Sequence, residues 1–403
     1  MQSSPAGGGR PQCASLAGRV RICLVYDCLF PYTVGGAERW YRNLALRLAE
    51  DGHDVTYVTL RQWPRGERPE LEGVEIVEAG PRMPLYGPNG NRRIAPPLVF
   101  GAGVLGHLMR RGRRYDVVHT CSFPYFSLLA AAAVRRAGRY AIVVDWFELW
   151  SAAYWREYLG PVGGRAGRAV QGACLRVRQK AFCFARMTAE RLRADGLRGE
   201  VTVLEGMYES PPEPHPPAPA EPLVVFAGRH IPEKRAPAVV PAVAVARADM
   251  PELRGVIFGD GPERGAVLDA IARSGMQGIV EAPGFVESER VESTLARALC
   301  MVLPSRREGY GMIVVEASAA GVPSVVVRDP DNAAVELVQD GVNGFVAESA
   351  APEAIAAAIL RVHEAGPALR DSTVEWFATH KQRLSLRASL AVVAQAYAAS
   401  ARA

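Results

Sequence analysis

The chain has 403 residues, of which 49% are apolar and 22% are charged. This composition excludes a disordered or fibrous chain, and the length predicts two or three domains. The longest apolar stretch, residues 95–109, is too short and too rich in Gly and Pro for a transmembrane span. Residues 1–200 carry 29 Lys and Arg against 17 Asp and Glu, whereas residues 201–403 carry 18 against 25. The basic first half predicts an anionic partner, with a solvated basic surface as the alternative.

The cysteines and the N-terminal segment bear on the cellular compartment. The seven cysteines include no Cys-x-x-Cys pair, so neither a disulfide framework nor a zinc site is expected. Residues 1–19 are rich in Gly, Ser and Pro and lack the apolar core of a secretory signal, which predicts a disordered tail. These features favour a cytoplasmic protein.

Apolar runs and helical segments alternate from residue 20 to residue 208. The first predicted strand, residues 20–26, leads into a turn and an amphipathic helix that ends near Asp51 and Gly52. Further strands are predicted at residues 54–60, 74–78, 116–120, 141–145, 181–187 and 201–204. Strands separated by helices predict a parallel sheet that helices cover on both faces.

A second α/β series begins after residues 209–222, which contain too many prolines for a helix or an inner strand and predict a linker. Its strands are predicted at residues 223–227, 254–259, 279–281, 300–304 and 323–327. The expected domains are residues 20–208 and 223–371, followed by a helical segment, residues 372–403, that packs back on the first domain. The expected fold class is α/β, with two Rossmann-like, doubly wound parallel-sheet domains facing across a cleft.

The loops after the first strand of each domain contain groups suited to an anion. Gly35 and Gly36 precede the first helix, where they allow a ligand close to the backbone and to the free N–H groups. Arg229 and Lys234 follow the first strand of the second domain, where a planar fork and a point charge can hold a diphosphate. The alternatives are an ordinary turn for the glycines and solvated surface charges for the cations.

The segment after residues 300–304 places two carboxylates around a turn. Glu308 stands at the strand end, and Glu316 lies in the first turns of a helix that begins near Met312. The turn between them consists of Gly309, Tyr310 and Gly311. Its free amides can face an anion while both carboxylates accept hydrogen bonds from hydroxyl groups, which fits a nucleotide sugar. The alternative is that Glu316 only complements the dipole of its helix. That alternative accounts for Glu316 but not for the glycine-rich turn before the helix.

Three spacings together resemble those of the retaining glycosyltransferases of family 4, which have the two-domain GT-B fold. They are Glu-x7-Glu at Glu308 and Glu316, Arg-x4-Lys at Arg229 and Lys234, and the glycine pair that begins at Gly35. The resemblance covers nearly the whole chain from residue 20 onward.

The resemblance also implies a role for each of these positions. The two cations neutralise the donor diphosphate. Glu308 contacts sugar hydroxyls near the reacting carbon, and Glu316 binds the ribose. The backbone around Phe285 and Val286, after another predicted strand, receives the base.

One position departs from the family pattern. Many members carry a histidine after the strand that corresponds to residues 141–145, near the donor sugar, and Phe147 stands there in this chain. The candidates for contacts on the acceptor side are His119, Asp145, Phe147 and Glu148. The departure leaves a non-catalytic nucleotide-sugar-binding subunit as an alternative.

The sequence therefore predicts retaining transfer of a hexose-type sugar from a UDP- or GDP-sugar to the hydroxyl group of a small-molecule or lipid-linked acceptor. A sugar-nucleotide epimerase or phosphorylase on the same fold is a further alternative. No nucleic acid and no cofactor are expected. No metal is expected either, because a proline turn explains Asp329 and Asp331 more simply than a metal motif does. Arg229, Lys234 and helix amides already supply positive charge.

A basic cluster of the first half remains outside this interpretation. Arg110, Arg111, Arg113 and Arg114 follow the apolar stretch that ends at residue 109. Basic residues next to apolar ones predict a peripheral contact with an anionic membrane or an acceptor that carries phosphate. The alternative is that the arginine stems only cover helix surface.

Overall fold

The computed structural model describes residues 19–85, 87, 92–209 and 219–401. The first domain is built on seven parallel strands: β1 (Arg21–Val25), β2 (Asp54–Thr59), β3 (Val74–Glu78), β4 (Val117–Cys121), β5 (Ala141–Trp146), β6 (Gln179–Cys183) and β7 (Gly199–Val203). Their order in the sheet is β3-β2-β1-β4-β5-β6-β7. The order reverses direction at β1, so the loops after β1 and β4 diverge and leave a crevice at the carboxyl ends of the strands.

Helices cover both faces of this sheet: α1 (Gly36–Glu50), α2 (Ala95–Arg111), α3 (Phe126–Gly138), α4 (Ala152–Leu175) and α5 (Arg186–Ala194). In α1 the apolar residues recur every three to four positions, so that one face, which includes Trp40, Tyr41, Leu44 and Leu48, is buried against the sheet. Gly160 and Pro161 kink α4 near its first third, because Gly160 takes a positive φ of 73°.

The second domain repeats the arrangement with β8 (Leu223–Ala227), β9 (Arg254–Phe258), β10 (Val280–Gly284), β11 (Cys300–Leu303), β12 (Arg307–Glu308), β13 (Ser324–Val327), β14 (Asp331–Asn332) and β15 (Gly344–Ala347). Six of them form a parallel sheet in the order β10-β9-β8-β11-β13-β15, and the short strands β12 and β14 pair separately. The helices are α6 (Val239–Ala246), α7 (Arg264–Arg273), α8 (Ser288–Ala296), α9 (Met312–Ala319), α10 (Pro352–Leu384) and α11 (Leu386–Ala401). Two parallel-sheet α/β domains thus face each other, as the sequence predicted.

The strand predicted at residues 181–187 corresponds to β6 but is displaced along the chain. The predicted segment, residues 181–187, begins two residues late and runs into α5, which starts at Arg186. The strand in the structure begins at the polar residue Gln179. Its buried side-chain amide accepts a hydrogen bond from Trp146 Nε1 at 2.8 Å and donates one to the Cys174 carbonyl at 2.8 Å. Polar residues that are satisfied in this way are invisible to a hydrophobic pattern.

The C-terminal helices join the two domains. Helix α10 is kinked at Gly366, where φ is 57°, and ends at Leu384, so the boundary predicted at residue 372 falls inside it. Helix α11 packs against α1 and β4 of the first domain, where the buried Tyr397 hydroxyl hydrogen-bonds to Nδ1 of His119. Residues 1–18 of the predicted tail and 210–218 of the predicted linker lie outside the described residues. No helix in the described part of the chain is both long enough and apolar enough to cross a membrane.

Candidate active site

The N-termini of two helices meet across the cleft between the domains. Helix α1 begins at Gly36, after Gly35 in an extended conformation, and α9 begins at Met312, after Gly311 with a φ of 100°. A Cβ on Gly36 would lie 3.2 Å from the Met312 sulfur, so the two helix ends are in contact. The first N–H groups of both helices have no partner within their own helix, and both dipoles point their positive ends into the cleft. This arrangement favours an anion.

The first glycine of the predicted turn, Gly309, brings the domains into close contact. A Cβ at this position would lie 2.5 Å from the main-chain oxygen of Phe147 and 3.2 Å from Cγ of Glu148. Only glycine leaves room for the loop after β5 at this distance. Gly311 is required for a different reason, since its positive φ strains any residue with a Cβ.

Lys234 and Glu308, predicted on separate loops, form an ion pair. Their side chains are 19% and 13% exposed, and Ser305 Oγ donates a further hydrogen bond to Glu308 Oε2 at 3.3 Å. The pair stands beside the turn that leads into α9. The geometry therefore confines a carboxylate and an ammonium group to one small region of the cleft.

Arg229 is exposed at the mouth of the same region. Among the described residues its side chain has no hydrogen bond or ion pair, and its charge acts on the carboxyl group of Glu38. Burial raises the pKa of Glu38, and its own backbone N–H and the charge of Arg229 counteract this rise. A guanidinium with its donors free at the edge of a cleft can bind an anionic ligand.

The other predicted donor residues line the second-domain side of the cleft. Glu316 lies on α9 with 36% of its side chain exposed, 4.0 Å from Nη1 of Arg39. Burial raises the pKa of Glu316, and Arg39 opposes that effect. The Tyr310 side chain turns away, because its hydroxyl donates to the Glu205 carbonyl at 2.7 Å. Tyr310 can therefore contribute only backbone groups to a ligand.

Phe285 and Val286 follow β10 at the carboxyl edge of the second sheet, where the resemblance had placed the base. Phe285 is 69% exposed, and Val286 is half-buried. An exposed ring at this edge offers an apolar surface without closing a pocket.

The four acceptor-side candidates separate into two pairs. His119 and Asp145 have no exposed surface, and Nε2 of His119 lies 2.9 Å from Oδ1 of Asp145. Trp40 Nε1 donates to Oδ2 of the same carboxylate at 2.7 Å. This placement gives both residues a structural role in joining β4, β5 and α1, and an acceptor cannot reach them in this arrangement.

Phe147 and Glu148 instead lie at the boundary with the second domain. The Phe147 ring stacks on Phe184 with the centroids 4.9 Å apart, and the Glu148 carboxylate forms an ion pair with Arg307. These two residues remain candidates for contacts near the reacting sugar.

The residues that link the two domains were not predicted from the sequence. Arg307 is buried between first-domain aromatic residues, and the Tyr154 hydroxyl donates to Oε1 of Glu233 at 2.5 Å. Glu38 was also missed, although a glutamate three residues after a helix cap is a recognisable signal. For Arg307 no sequence signal exists, because its partners belong to another domain.

The two aspartates with metal-motif spacing are both engaged by arginines. Asp331 Oδ1 lies 2.6 Å from Nη1 of Arg191, and Asp329 Oδ2 lies 3.2 Å from Nη2 of Arg235. Within the described ranges, no three or more His, Cys, Asp or Glu residues are grouped so as to hold a metal ion.

Two family models match the chain. The one described as Glycosyltransferase Family 4 matches residues 34–237, and the one described as Glycosyl transferases group 1 matches residues 209–375. Glycogen synthase of Mycobacterium tuberculosis is 27% identical over 361 residues, which cover 84% of either chain. D-inositol 3-phosphate glycosyltransferase of Streptomyces griseus is 31% identical over a shorter match, 44% of this chain and 39% of the relative.

Solved structures share the architecture. Sucrose-phosphate synthase from Thermosynechococcus elongatus matches with a TM-score of 0.76 at 18% identity, over 94% of this chain and 98% of the other. HepE of Anabaena, solved with UDP and glucose, matches with a TM-score of 0.68 at 17% identity, over 94% and 99%. These similarities show the GT-B fold. Because the family 4 model covers half of the chain, and the group 1 model continues through the second domain, this chain belongs to the glycosyltransferases of family 4.

Proposed function

We propose that the protein transfers a hexose-type sugar from a UDP- or GDP-sugar to an acceptor hydroxyl with retention of the anomeric configuration. The observation that carries the proposal is the contact of Gly36 with Met312, which brings two helix N-termini together in the cleft. Arg229 and the Lys234–Glu308 pair stand on the loops around it. Two helix dipoles and two cations form a binding site for a diphosphate.

In the proposed reaction the protein stabilises the departing diphosphate. Arg229, Lys234 and the amides of α1 and α9 supply positive charge where negative charge develops, so a divalent metal is not required. Glu308 is held by Lys234 and Ser305, which suits a carboxylate that accepts hydrogen bonds from the donor sugar. The Glu308 and Glu148 carboxylates are both engaged in ion pairs, with Lys234 and Arg307. Front-face substitution assisted by the leaving phosphate therefore fits retention better than a covalent intermediate on either carboxylate.

UDP-glucose is the first donor to test. HepE, whose fold this chain shares, was solved with UDP-glucose. Isothermal titration with UDP, GDP and their glucose conjugates measures donor choice, and product analysis with an acceptor panel measures transfer. Absence of binding to every nucleotide sugar would contradict the proposal. Release of a changed sugar nucleotide without an acceptor would favour an epimerase, and phosphate-dependent release would favour a phosphorylase.

A non-catalytic nucleotide-sugar-binding subunit is the second candidate, and Phe147 favours it. The ring packs on Phe184 and offers no hydrogen bond to a sugar hydroxyl. Donor binding without turnover of any acceptor would support this candidate. Activity in the Phe147→His variant, where the wild type has none, would support it further.

The acceptor side includes a helix suited to an anionic membrane. On α2 and the residue before it, Ile94, Leu98 and Met109 are 63%, 47% and 66% exposed along one side, while Phe100 and Val104 are buried on the other. The arginines at residues 110–114 follow directly, and all four are exposed. An apolar stripe that ends in basic residues is the pattern of a helix lying in a lipid interface.

Liposome sedimentation tests this membrane contact. Binding to anionic vesicles at low salt, weakened by high salt and by Leu98→Glu, is expected. Leu268→Glu, at a 46% exposed position on α7, is the matched control and should bind like the wild type. Equal binding to neutral and anionic vesicles, or none at low salt, would leave a soluble acceptor as the better proposal.

A further inference from the structure

A buried arginine lies at the boundary of the two domains, one residue before Glu308. Arg307 is 8% exposed and forms an ion pair with Glu148. Its guanidinium carbon lies 4.5 Å from the ring centroid of Trp150 and 4.0 Å from that of Tyr154. Arg307 belongs to the second domain and its three partners to the first. We call these four residues the Arg307 cluster.

The Arg307 cluster forms only when the domains are together. Burial lowers the pKa of Arg307 to about 10, so the guanidinium is charged at neutral pH although it is largely removed from water. The ring faces of Trp150 and Tyr154 and the Glu148 carboxylate stabilise the charge in place of the lost hydration. Its Nη1 atom is buried and has no hydrogen-bond partner among the described residues. When the domains part, Arg307 loses all three partners at once.

Strand β12 couples this cluster to Glu308. Arg307 and Glu308 are consecutive residues of the strand, so their side chains point to opposite faces, and the orientation of one determines that of the other. On the second-domain side, β12 pairs with β14, where the buried Asn332 donates to the carbonyls of Ser305 and Val327 at 3.0 Å and 2.8 Å. The first domain holds the same strand through Arg307.

The partner of Glu308 is held in the same way. Lys234 follows Glu233, whose Oε1 accepts the hydrogen bond from Tyr154. The Glu233 carbonyl also accepts a hydrogen bond from the Arg306 amide at 2.8 Å, which ties the two loops together. Each member of the Lys234–Glu308 pair is therefore preceded in sequence by a residue that Tyr154 contacts.

We propose that Arg307 is a positioning residue, which aligns Glu308 for catalysis when the first domain closes on it. The inference rests on the proposed function, because Glu308 is assigned to the donor sugar there. In this role Arg307 acts through Glu308 rather than through a contact of its own with the donor or the acceptor. The first domain thus contributes to catalysis by fixing the orientation of a second-domain carboxylate.

Steady-state kinetics of Arg307→Met test the proposal. The variant keeps the length of the side chain and removes the charge that Glu148 and the two rings hold. We expect kcat to fall about 10²-fold, the effect of misplacing one catalytic group, while UDP affinity changes less than about threefold. Arg307→Lys restores the charge without the planar fork and should recover part of kcat.

The neighbouring residue provides the matched control. Arg306 also crosses to the first domain, through two hydrogen bonds of 2.7 Å and 2.6 Å to Glu157, but both side chains are exposed at 40% and 52%. Arg306→Met should therefore keep kcat within about threefold. Equal kcat for the two variants, or an equal loss of kcat and UDP affinity in Arg307→Met, would overturn the proposal.

Hydrogen exchange gives a readout that does not depend on turnover. In Arg307→Met, amides of residues 305–311 should exchange faster than in the wild type, and in Arg306→Met they should not. This comparison decides the positioning role even where no donor is turned over, in which case only the proposed function fails. Should Arg307→Met not fold, Glu148→Gln retains the side-chain volume and should show the same faster exchange. Unchanged exchange in a folded variant overturns the inference.

Discussion

Gly309 packs against the main-chain oxygen of Phe147 so closely that a Cβ on Gly309 would lie 2.5 Å from that oxygen. The contact joins the glycine turn of the second domain to the loop after β5 of the first. It lies next to Glu308 and next to the residue that replaces the family histidine. The width of the cleft beside Glu308 therefore depends on the absence of a side chain at one position.

Gly309→Ala is expected to lower kcat about 10²-fold, because the new methyl group pushes the Phe147 loop away from Glu308. The backbone oxygen cannot move aside as a flexible side chain can. The thermal midpoint should change little, since the contact lies between domains rather than in a core. Steady-state kinetics and thermal melts measure both quantities.

Gly265→Ala is the matched control for that prediction. Gly265 lies in α7, and a Cβ there would meet no atom within 4 Å. Alanine favours a helix over glycine, so this variant should be as active as the wild type and slightly more stable. A Gly309→Ala variant that matches the control in kcat would contradict the close contact.

The ion pair between Lys234 and Glu308 predicts two different binding phenotypes. Lys234→Ala and Glu308→Ala should each lower kcat about 10²-fold or more, the effect of losing one preorganised charge. UDP affinity should fall in Lys234→Ala, which removes a cation from the diphosphate site. It should stay the same or rise in Glu308→Ala, which removes a nearby negative charge.

The double variant tests whether the two residues act as a unit. Because each single substitution leaves a partly buried charge without its partner, the double variant should lose much less than the product of the two single effects. Independent, multiplicative losses in kcat would show that the ion pair has no part in catalysis. Activity of both single variants within about threefold of the wild type would remove both residues from the site.

The sequence predicted those parts of the fold and site that depend on local pattern. Strand ends could be placed because buried parallel strands are short apolar runs, and the loops at their carboxyl ends carry Gly36, Arg229 and Glu308. Strand β15 was not predicted, since Gly344 with a φ of 151° opens it and a turn precedes it. A glycine at this position interrupts the apolar run that signals a strand.

The remaining parts depend on contacts between distant segments. His119 was considered for the acceptor side as a replacement for the histidine that Phe147 displaces, yet it lies within β4 and α11 covers it. That cover comes from a helix more than 250 residues later in the chain. Arg307 could not be distinguished from the exposed Arg306 beside it, because only the other domain makes the difference.

Metal removal should leave activity unchanged. Asp329 and Asp331 are occupied by arginine partners, and the positive charge of the cleft comes from Lys234, Arg229 and helix amides. Turnover in excess EDTA should equal that in buffer alone. A complete loss that Mg²⁺ or Mn²⁺ restores would mean that one of these aspartates exchanges its arginine for a metal ion.

The Glu316 carboxylate is expected to lower the stability of the fold at neutral pH while it strengthens donor binding. Burial raises the pKa of its carboxyl above the ordinary value of 4.5, so the folded state holds a proton more tightly than the unfolded state. The resulting stability is present below pH 4.5 and is lost as the pH rises through the folded-state pKa. At neutral pH the charged carboxylate is therefore a cost to the fold.

Glu316→Gln removes that cost and should raise the thermal midpoint slightly at neutral pH. The gain should shrink toward acidic pH, where the wild-type residue is already protonated, and it should be small because a third of the side chain remains exposed, at 36%. UDP affinity should fall about tenfold, as expected when a ribose hydroxyl loses a charged acceptor. A lower thermal midpoint at neutral pH, or unchanged affinity for UDP, would contradict these two roles.

The C-terminal helix contributes Tyr397 to a chain of buried polar side chains in the first domain. Tyr397, His119, Asp145 and Trp40 are linked in that order, and all four are at most 1% exposed. Tyr397→Phe leaves Nδ1 of His119 buried without a partner, which should lower the free energy of unfolding by about 1–3 kcal/mol. Tyr32→Phe, at a 41% exposed position, should change it by less than about 0.5 kcal/mol. Denaturant unfolding measures the loss, and acceptor KM should stay constant because His119 is out of reach of the cleft. Unchanged stability together with a raised acceptor KM would return His119 to the acceptor site.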